Sequence, residues 1–195
     1  MNVLGFSEGF HDAGICLLKN DRIYFASHSE RHSRKKGDKW IHPTQLPKSK
    51  LNKPDIIAYY EKPFRKNLRR LYAGQKWQKP RRKYDMYFGH HECHAAAGYY
   101  TSSFDECNVL VIDAIGEWDT MSIWHCKNDS MKKIMTWKYP HSLGLLFYSA
   151  ITQRIGLKPN EDEYITMGMA AFGEPKYDLE DQLWRNNHRG VGDIF

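Results

Sequence analysis

The stretch VLGFSEGFHDAGICLL, residues 3–18, predicts how the fold begins. Its two apolar runs, Val3 to Phe6 and Ala13 to Leu18, are typical of β-strands, and the glycine, acid and histidine residues between them are typical of a turn. A second turn at Asn20-Asp21 leads into a third apolar run, Ile23 to Ser29. Three such runs joined by two short turns predict a three-stranded antiparallel meander.

The same pattern, an apolar strand, a turn with glycine and acid, and another apolar strand, occurs again from Val109 to Trp124. The two copies share little sequence identity. An internal duplication is therefore suggested by the pattern of strands and turns and not by matching residues. Such a duplication fits folds in which tight turns of two similar lobes bind a phosphate through backbone N–H groups.

The rest of the chain alternates strands and helices, with basic connectors at 30–53 and 73–84. The predicted elements are a strand Ile56 to Tyr60, a helix Pro63 to Tyr72, a short strand Met86 to Gly89, a helix His90 to Tyr100, a strand Val109 to Asp113, a hairpin of Thr120 to His125 and Met131 to Trp137 about Asn128-Asp129, a helix from the N-cap Ser142 to Ile155 with Gly156 as C-cap, a helix Ile165 to Ala171, and a helical segment Leu179 to Trp184.

Composition limits the class of protein. The 195 residues suffice for one sizeable core or for one lobe of a larger enzyme, and 41% hydrophobic with 14% aromatic residues exclude a disordered chain. Four cysteines without a Cys-x-x-Cys pair favour reduced thiols over a disulfide framework or a thiolate zinc site. Without a run of about 18 to 20 apolar residues or an opening signal segment, we expect no membrane association and a cytoplasmic location.

The net charge of +6 is unevenly distributed. One basic cluster contains Arg31, Arg34, Lys35 and Lys36, and a second runs from Arg65 to Lys83. Such density favours an anionic partner, which is either phosphate groups or nucleic acid. A nucleic-acid-binding module is therefore an alternative function, with Tyr72, Trp77 and Tyr84 as stacking platforms within the second cluster.

The stretch GHHECHAAA, residues 89–97, is the strongest chemical signal. On a helix, His90 and His94 share one face, close enough to bind one metal ion, and Asp113 at the end of a buried strand is suited to the same role. The alternatives are a helix start capped by His90 and an Asx turn at Asp113. The pattern is not the His-Glu-x-x-His of zinc proteases, because His91 follows the first ligand.

The turn Gly9-Phe10-His11-Asp12 contains an imidazole next to a carboxylate. A neighbouring carboxylate orients a histidine that acts as a general base. The pair alone is weak evidence for such a role.

Several ordered blocks resemble the NodU/CmcH-type O-carbamoyltransferases, whose N-terminal domain is similar to the TsaD/Kae-type ATPase domain of the actin and Hsp70 superfamily. The matching blocks are Gly5 through His11-Asp12, Glu30 to Lys36, His90 to Ala96, Val111 to Gly116, and the three segments Ser142 to Gly144 with Tyr148, Gly156 to Pro159 and Met167 to Gly173. They span nearly the whole chain.

The resemblance implies roles for these residues. His90, His94 and Asp113 would hold a divalent metal, Fe²⁺ in the first place and otherwise Zn²⁺ or Mn²⁺, and His11 would deprotonate a small-molecule hydroxyl acceptor. The donor would be carbamoyl-adenylate, made from carbamoyl phosphate and ATP in a YrdC-like domain or partner chain. The implied nucleotide contacts are Asp12, Arg34, Lys35, Gly116, Ser142 and Gly144.

Two positions depart from the family pattern. Ile165 occupies the position of an expected lysine, and Ala114 replaces the glycine after the metal-side aspartate. A truncated lobe with only a scaffolding role is therefore a further alternative.

We expect an α/β, actin-like (ASKHA, ribonuclease-H-like) lobe with a mixed β-sheet flanked by helices. Residues 1–195 would form the N-terminal part of a larger carbamoyltransferase. The C-terminal remainder and the YrdC-like domain would be absent from this chain.

Overall fold

The computed structural model describes residues 1–45 and 54–176, which form two compact units. The first unit covers Met1–Cys93, and the second begins at His94. Helix α3 extends from His90 to Tyr100.

The first unit contains a five-stranded mixed sheet. In chain order its elements are β1 (Asn2–Ser7), β2 (Gly14–Lys19), β3 (Arg22–His28), α1 (Glu30–Ser33), a 3-10 turn (Pro43–Gln45), β4 (Ile56–Tyr59), α2 (Pro63–Tyr72) and β5 (Met86–Tyr87). The strand order is β3-β2-β1-β4-β5, in which β2 is antiparallel to both β1 and β3, and β4 is parallel to both β1 and β5. The predicted opening meander is confirmed.

Alternating side chains build the core of this unit. Leu4 and Phe6 on β1 and Ile15 and Leu17 on β2 are two residues apart and are buried on one face. The turn between β2 and β3 has positive φ at Asn20 and Asp21 (47° and 62°), a conformation that asparagine and aspartate tolerate well.

The second unit is built around a three-stranded antiparallel sheet in the order β6-β7-β8. Its elements after α3 are β6 (Glu106–Gly116), β7 (Asp119–Lys127), β8 (Ser130–Lys138), a π-helical segment (Leu143–Ser149), α4 (Ala150–Arg154) and α5 (Glu163–Ala170). The hairpin turn has positive φ at Asn128 and Asp129, as the sequence predicts. Both copies of the suspected repeat thus form a pair of antiparallel strands, β1-β2 and β6-β7.

Four sequence expectations need correction or extension. The predicted helix from Ser142 to Ile155 begins with a π-helical segment, although Ser142 does cap it by accepting a hydrogen bond from the Leu145 N–H. The connector 30–53, for which the sequence predicts no helix or strand, contains α1 and the 3-10 turn. Strand β6 is longer than the predicted strand Val109 to Asp113, because residues on both sides of that run also pair with β7.

The fourth correction concerns the turn after β6. Gly116 is the last, buried residue of β6, and it is Glu117 that has the left-handed conformation, with φ of 58°.

The predicted helical segment Leu179 to Trp184 lies outside the described residues.

Candidate metal centre

The start of α3 fixes the position of the two predicted imidazole ligands. The carbonyl of Gly89 accepts the Cys93 N–H (3.0 Å), and the Glu92 carboxylate accepts the Gly89 N–H (2.9 Å). This is the return half of a capping box, in which the Glu92 carboxylate accepts the N–H of the N-cap residue Gly89. His90 is the first helical residue and shares a helix face with His94.

Small residues pack α3 closely against β6. Ala95 is fully buried in a cluster with Val111, and a methyl group at Gly98 would lie 3.5 Å from Val109. Val109 and Val111 alternate along β6 and share one strand face, and Asp113 follows two residues later, where the pairing of β6 with β7 becomes irregular. The packing of α3 on Val109 and Val111 thus lies next to the end of β6 that contains Asp113.

The structure brings His90, His94 and Asp113 together. Each side chain offers one ligand atom, and these three atoms all lie within 4.8 Å of one another. The His94 Nε2 and Asp113 Oδ2 atoms are 3.9 Å apart. Metal bonds to nitrogen and oxygen are roughly 2.0 to 2.2 Å long, so two ligands of one ion lie roughly 3 to 4 Å apart. Small rotations of the side chains would bring ligand atoms that are up to 4.8 Å apart into this range.

The two carboxylate oxygens of Asp113 have separate surroundings. Oδ1 accepts the Ala114 N–H at 2.7 Å, while Oδ2 faces His94. The contact of Oδ1 with the next backbone N–H and the metal-ligand geometry of Oδ2 are therefore compatible. About half of the His94 side chain surface is exposed (55%), so the cluster is accessible to an ion from solvent.

The segment after β8 supports the strand end that contains Asp113. The Ser142 hydroxyl donates to the Ala114 carbonyl (2.8 Å), and Ser142 is buried. At Gly144 an added Cβ would lie 2.8 Å from the Ala114 Cα and 3.0 Å from the Asp113 carbonyl oxygen. Glycine is therefore required for this close approach. The predicted nucleotide contacts of Ser142 and Gly144 remain predictions.

His11 and Asp12 form an exposed pair in the turn between β1 and β2. The His11 Nδ1 atom lies 2.8 Å from Asp12 Oδ2. Burial alone would raise the pKa of Asp12, but the hydrogen bond from the His11 ring and the charge of that ring lower it below its ordinary value. The ionised Asp12 carboxylate accepts a hydrogen bond from the His11 Nδ1–H, so the Nδ1 atom of the ring faces Asp12.

The segment that contains the first basic cluster lies along this turn. Its backbone carbonyls at Lys39 and Asp38 accept the N–H groups of Gly9 (2.7 Å) and Ala13 (2.8 Å). The predicted contacts Arg34 and Lys35 follow α1 and are exposed, with Arg34 in the left-handed conformation. The His-Asp turn and the residues that follow the Glu-Arg segment, Asp38 and Lys39, are thus neighbours in the first unit.

The structure also contains a buried polar network that the sequence analysis missed. Glu61 and Lys66 form a buried ion pair (2.5 Å), and the Tyr84 hydroxyl donates to buried Glu8 (2.7 Å). The Tyr59 hydroxyl donates to the Glu8 carbonyl (2.5 Å). Burial and the neighbouring carboxylates raise the pKa of both tyrosines, so both remain protonated donors. In a sequence, glutamate and lysine usually indicate exposed positions. No local pattern distinguishes Glu8, Glu61 and Lys66 from exposed residues of the same types.

The same network argues against the nucleic-acid alternative. Tyr84 is buried between Phe6 and Tyr59, so it offers no stacking surface. Trp77 packs edge-on near Phe64, with ring centroids 6.2 Å apart. Of the three aromatic residues proposed as platforms, Tyr84 is therefore excluded.

Fold and site together define a mixed α/β protein with a cluster of two imidazoles and one carboxylate on a helix and an adjoining strand. None of the helices in the described ranges has the length and hydropathy that crossing a bilayer requires.

The chain belongs to the carbamoyltransferase N-terminus family, which matches residues 42–190. It is 33% identical to the uncharacterized protein sll1178 of Synechocystis over 90% of this chain and 35% of that protein. It is 32% identical to the uncharacterized protein MJ1051 of Methanocaldococcus jannaschii, over 91% of this chain and 34% of that protein. The nodulation protein NolNO of Sinorhizobium fredii is 26% identical over 89% of this chain and 30% of its own length. The chain thus spans about a third of the length of these relatives.

Proposed function

We propose that this chain is the metal- and nucleotide-binding N-terminal part of an O-carbamoyltransferase that carbamoylates a small-molecule hydroxyl group. Membership of the carbamoyltransferase N-terminus family is the observation that carries the proposal. The cluster of His90, His94 and Asp113 supports it, because the chemistry requires a cation near a polyanionic donor.

The proposed reaction uses carbamoyl-adenylate, made from carbamoyl phosphate and ATP by a YrdC-like domain or partner chain. The acceptor oxygen forms a bond to the carbamoyl carbon, the bond from that carbon to the phosphate oxygen breaks, and AMP leaves with the bonding electron pair. The acceptor proton passes to a base. Atoms and charges balance without an oxidant or a reductant.

His90, His94 and Asp113 would hold the divalent metal. Two imidazoles and one carboxylate suit Fe²⁺, and they also accept Zn²⁺ or Mn²⁺. When bound, the metal supplies positive charge that stabilises phosphate and developing negative charge. The Ala114 N–H keeps Asp113 Oδ1 in place, and this contact orients Oδ2 toward the imidazoles.

His11 would accept the acceptor's proton. Its Nδ1 faces the Asp12 carboxylate, which fixes the tautomer and leaves Nε2 as the basic nitrogen. The side chain is largely exposed (60%), so an incoming hydroxyl can reach it. Asp12 would stabilise the imidazolium that forms, because its lowered pKa keeps it ionised.

The remaining residues with predicted roles would contact the nucleotide. Arg34 and Lys35 are exposed cations and suit phosphate oxygens. For Gly116, Ser142 and Gly144 the proposal concerns the backbone, because the Ser142 hydroxyl already bonds to Ala114 and to Leu145.

We further propose that the fold is of the actin-like, ribonuclease-H-like type. The strand order β3-β2-β1-β4-β5, with one antiparallel meander and two parallel strands, supports this assignment for the first unit. The second antiparallel meander, β6-β7-β8, is consistent with a repeated lobe.

A metal titration of the purified chain tests the site directly. We expect one divalent ion per chain, measured by calorimetry with Fe²⁺ under anaerobic conditions and then with Zn²⁺ and Mn²⁺. His90→Ala and His94→Ala should each lower the affinity by more than the roughly 10- to 100-fold typical of losing a supporting residue. The matched control is His125→Ala, an exposed histidine on β7 that contacts Glu106. Equal losses in all three variants would refute the assignment.

Carbamoyl transfer is tested with a YrdC-like partner, carbamoyl phosphate and ATP, and a panel of sugars and nucleosides as acceptors. Mass spectrometry detects a carbamoyl group added to an acceptor. The double variant His90→Ala/His94→Ala should abolish transfer, whereas His125→Ala should not. Full transfer by the double variant would rule out a role for the metal site.

A further inference from the structure

A pocket in the first unit is lined by residues to which no part in the proposed reaction has been assigned. It is lined by the turn after β1, the first residues of α2 and the segment Gln78 to Arg81. Trp40 and the buried ion pair of Glu61 and Lys66 also line it. All of these residues belong to the first unit.

Each carboxylate of the pocket already has a cation next to it. Glu61 Oε1 accepts the Lys66 ammonium at 2.5 Å, and Glu8 Oε1 lies 3.4 Å from the Arg82 Nε atom. Glu8 also accepts the Tyr84 hydroxyl. The carboxylates are therefore neutralised and hydrogen-bonded, as buried charges require. A cationic ligand would find no unpaired negative charge in this pocket.

The cations of the pocket are in excess. Lys66 is 6% exposed, and among the described residues its ammonium has one hydrogen-bond acceptor, Glu61, although it carries three N–H donors. The Arg81 guanidinium stacks 3.4 Å from the Trp40 ring centroid, and no carboxylate in the described ranges pairs with it. Lys79 adds another positive charge. The pocket thus offers N–H donors and positive charge without a matching anion.

The walls of the pocket are held in place before any ligand binds. The Asn67 side chain accepts the Gln78 N–H (2.8 Å) and donates to the Gln78 carbonyl (2.9 Å). The Gln78 side chain in turn donates to the Gly9 carbonyl (3.3 Å). Stacking on Trp40 restricts Arg81. Such preorganisation lowers the entropic cost of binding and distinguishes the pocket from a solvated run of charges.

We propose that this pocket binds an oxyanion, the phosphate or carboxylate group of a small molecule, through Lys66, Lys79 and Arg81. A planar guanidinium binds either group through two parallel hydrogen bonds. The buried ammonium supplies a third contact from the pocket floor. None of the contacts that define this site depends on the proposed carbamoyl transfer.

The test is a titration of the whole chain with inorganic phosphate and, separately, with acetate at constant ionic strength. Binding is followed through the side-chain N–H signal of Trp40 in nitrogen-15 NMR spectra. We expect a saturable shift with at least one of the two anions. The tighter anion identifies the source of the oxyanion, phosphate ester or carboxylic acid.

Arg81→Gln should weaken the binding about tenfold or more, because one charge-assisted contact of ordinary strength is lost. The matched control is Arg154→Gln, which removes the same charge from an exposed position of α4 in the second unit. Both residues are on the surface, so both variants should fold. No saturable shift with either anion, or the same weakening in both variants, would overturn the proposal.

Discussion

Gly144→Ala tests the close contact that supports the strand end with Asp113. The new Cβ would lie 2.8 Å from the Ala114 Cα and 2.9 Å from the Ala114 nitrogen, whereas ordinary van der Waals contacts of a Cβ begin at 3.4 Å. The atoms in the way belong to the backbone of β6, so no side chain can rotate to relieve the overlap. One of the two segments must therefore move by several tenths of an ångström.

The magnitude follows from the cost of overpacking. Forcing an additional carbon into a packed contact costs about 1 to 3 kcal/mol of the free energy of unfolding. For a chain of this length about 1 kcal/mol changes the melting temperature by roughly 2 to 4 °C. Gly144→Ala should thus lower the melting temperature by roughly 2 to 12 °C, measured by differential scanning calorimetry. The affinity for divalent metal should fall as well, because the displaced backbone includes Asp113.

Gly168→Ala is the matched control. Gly168 is also in a helix, and no atom lies within 4 Å of its added Cβ. Alanine favours the helix by about 0.8 to 1 kcal/mol, so this variant should melt at the wild-type temperature or above, with unchanged metal affinity. A Gly144→Ala protein as stable as Gly168→Ala would refute the proposed contact between the segment after β8 and β6.

Two further predictions concern buried and exposed charges of the first unit. Lys66→Met should lower the free energy of unfolding by about 3 to 5 kcal/mol in urea denaturation, because it leaves Glu61 as an unpaired buried charge. Asp12→Asn should reduce the loss of stability in acid. The Asp12 pKa is below its ordinary 3.8, so the carboxylate stabilises the folded state above that pH, and this stabilisation is lost as the pH falls through the lower, folded-state pKa.

Each of these predictions has its own control. Adding Glu61→Leu to Lys66→Met should recover most of the lost stability, since no buried charge then remains unpaired. A double variant as unstable as the single one would contradict the explanation. For Asp12, the control is Asp129→Asn in the β7–β8 turn. Parallel curves of stability against pH for wild type and Asp12→Asn would disprove the contribution of the His11–Asp12 pair.

Local patterns in the sequence were sufficient for most of the secondary structure. Helix α2 begins at Pro63 and ends at Tyr72, as predicted, because proline suits the first turn of a helix and the following residues are good helix formers. The turns at Asn20-Asp21 and Asn128-Asp129 were predictable for a similar reason, since these residue types adopt positive φ at low cost.

The cluster of His90, His94 and Asp113 was only partly predictable. The spacing of the two histidines determines that they share one helix face, and this follows from the geometry of a helix. The contact with Asp113 depends on how closely α3 packs on β6, which in turn depends on Ala95 and Gly98. Sequence suggested this contact through a family resemblance, but only the packed structure provides the 3.9 Å distance between His94 and Asp113.

By itself, the sequence determined the strands, helices and turns, because their causes are interactions between residues a few positions apart. It also determined the family. Only the tertiary structure decided that Glu8, Glu61 and Lys66 are buried and that Gly144 touches Ala114. These facts depend on contacts between segments that are distant along the chain, and a charged or small residue looks the same in sequence whether it meets solvent or another segment.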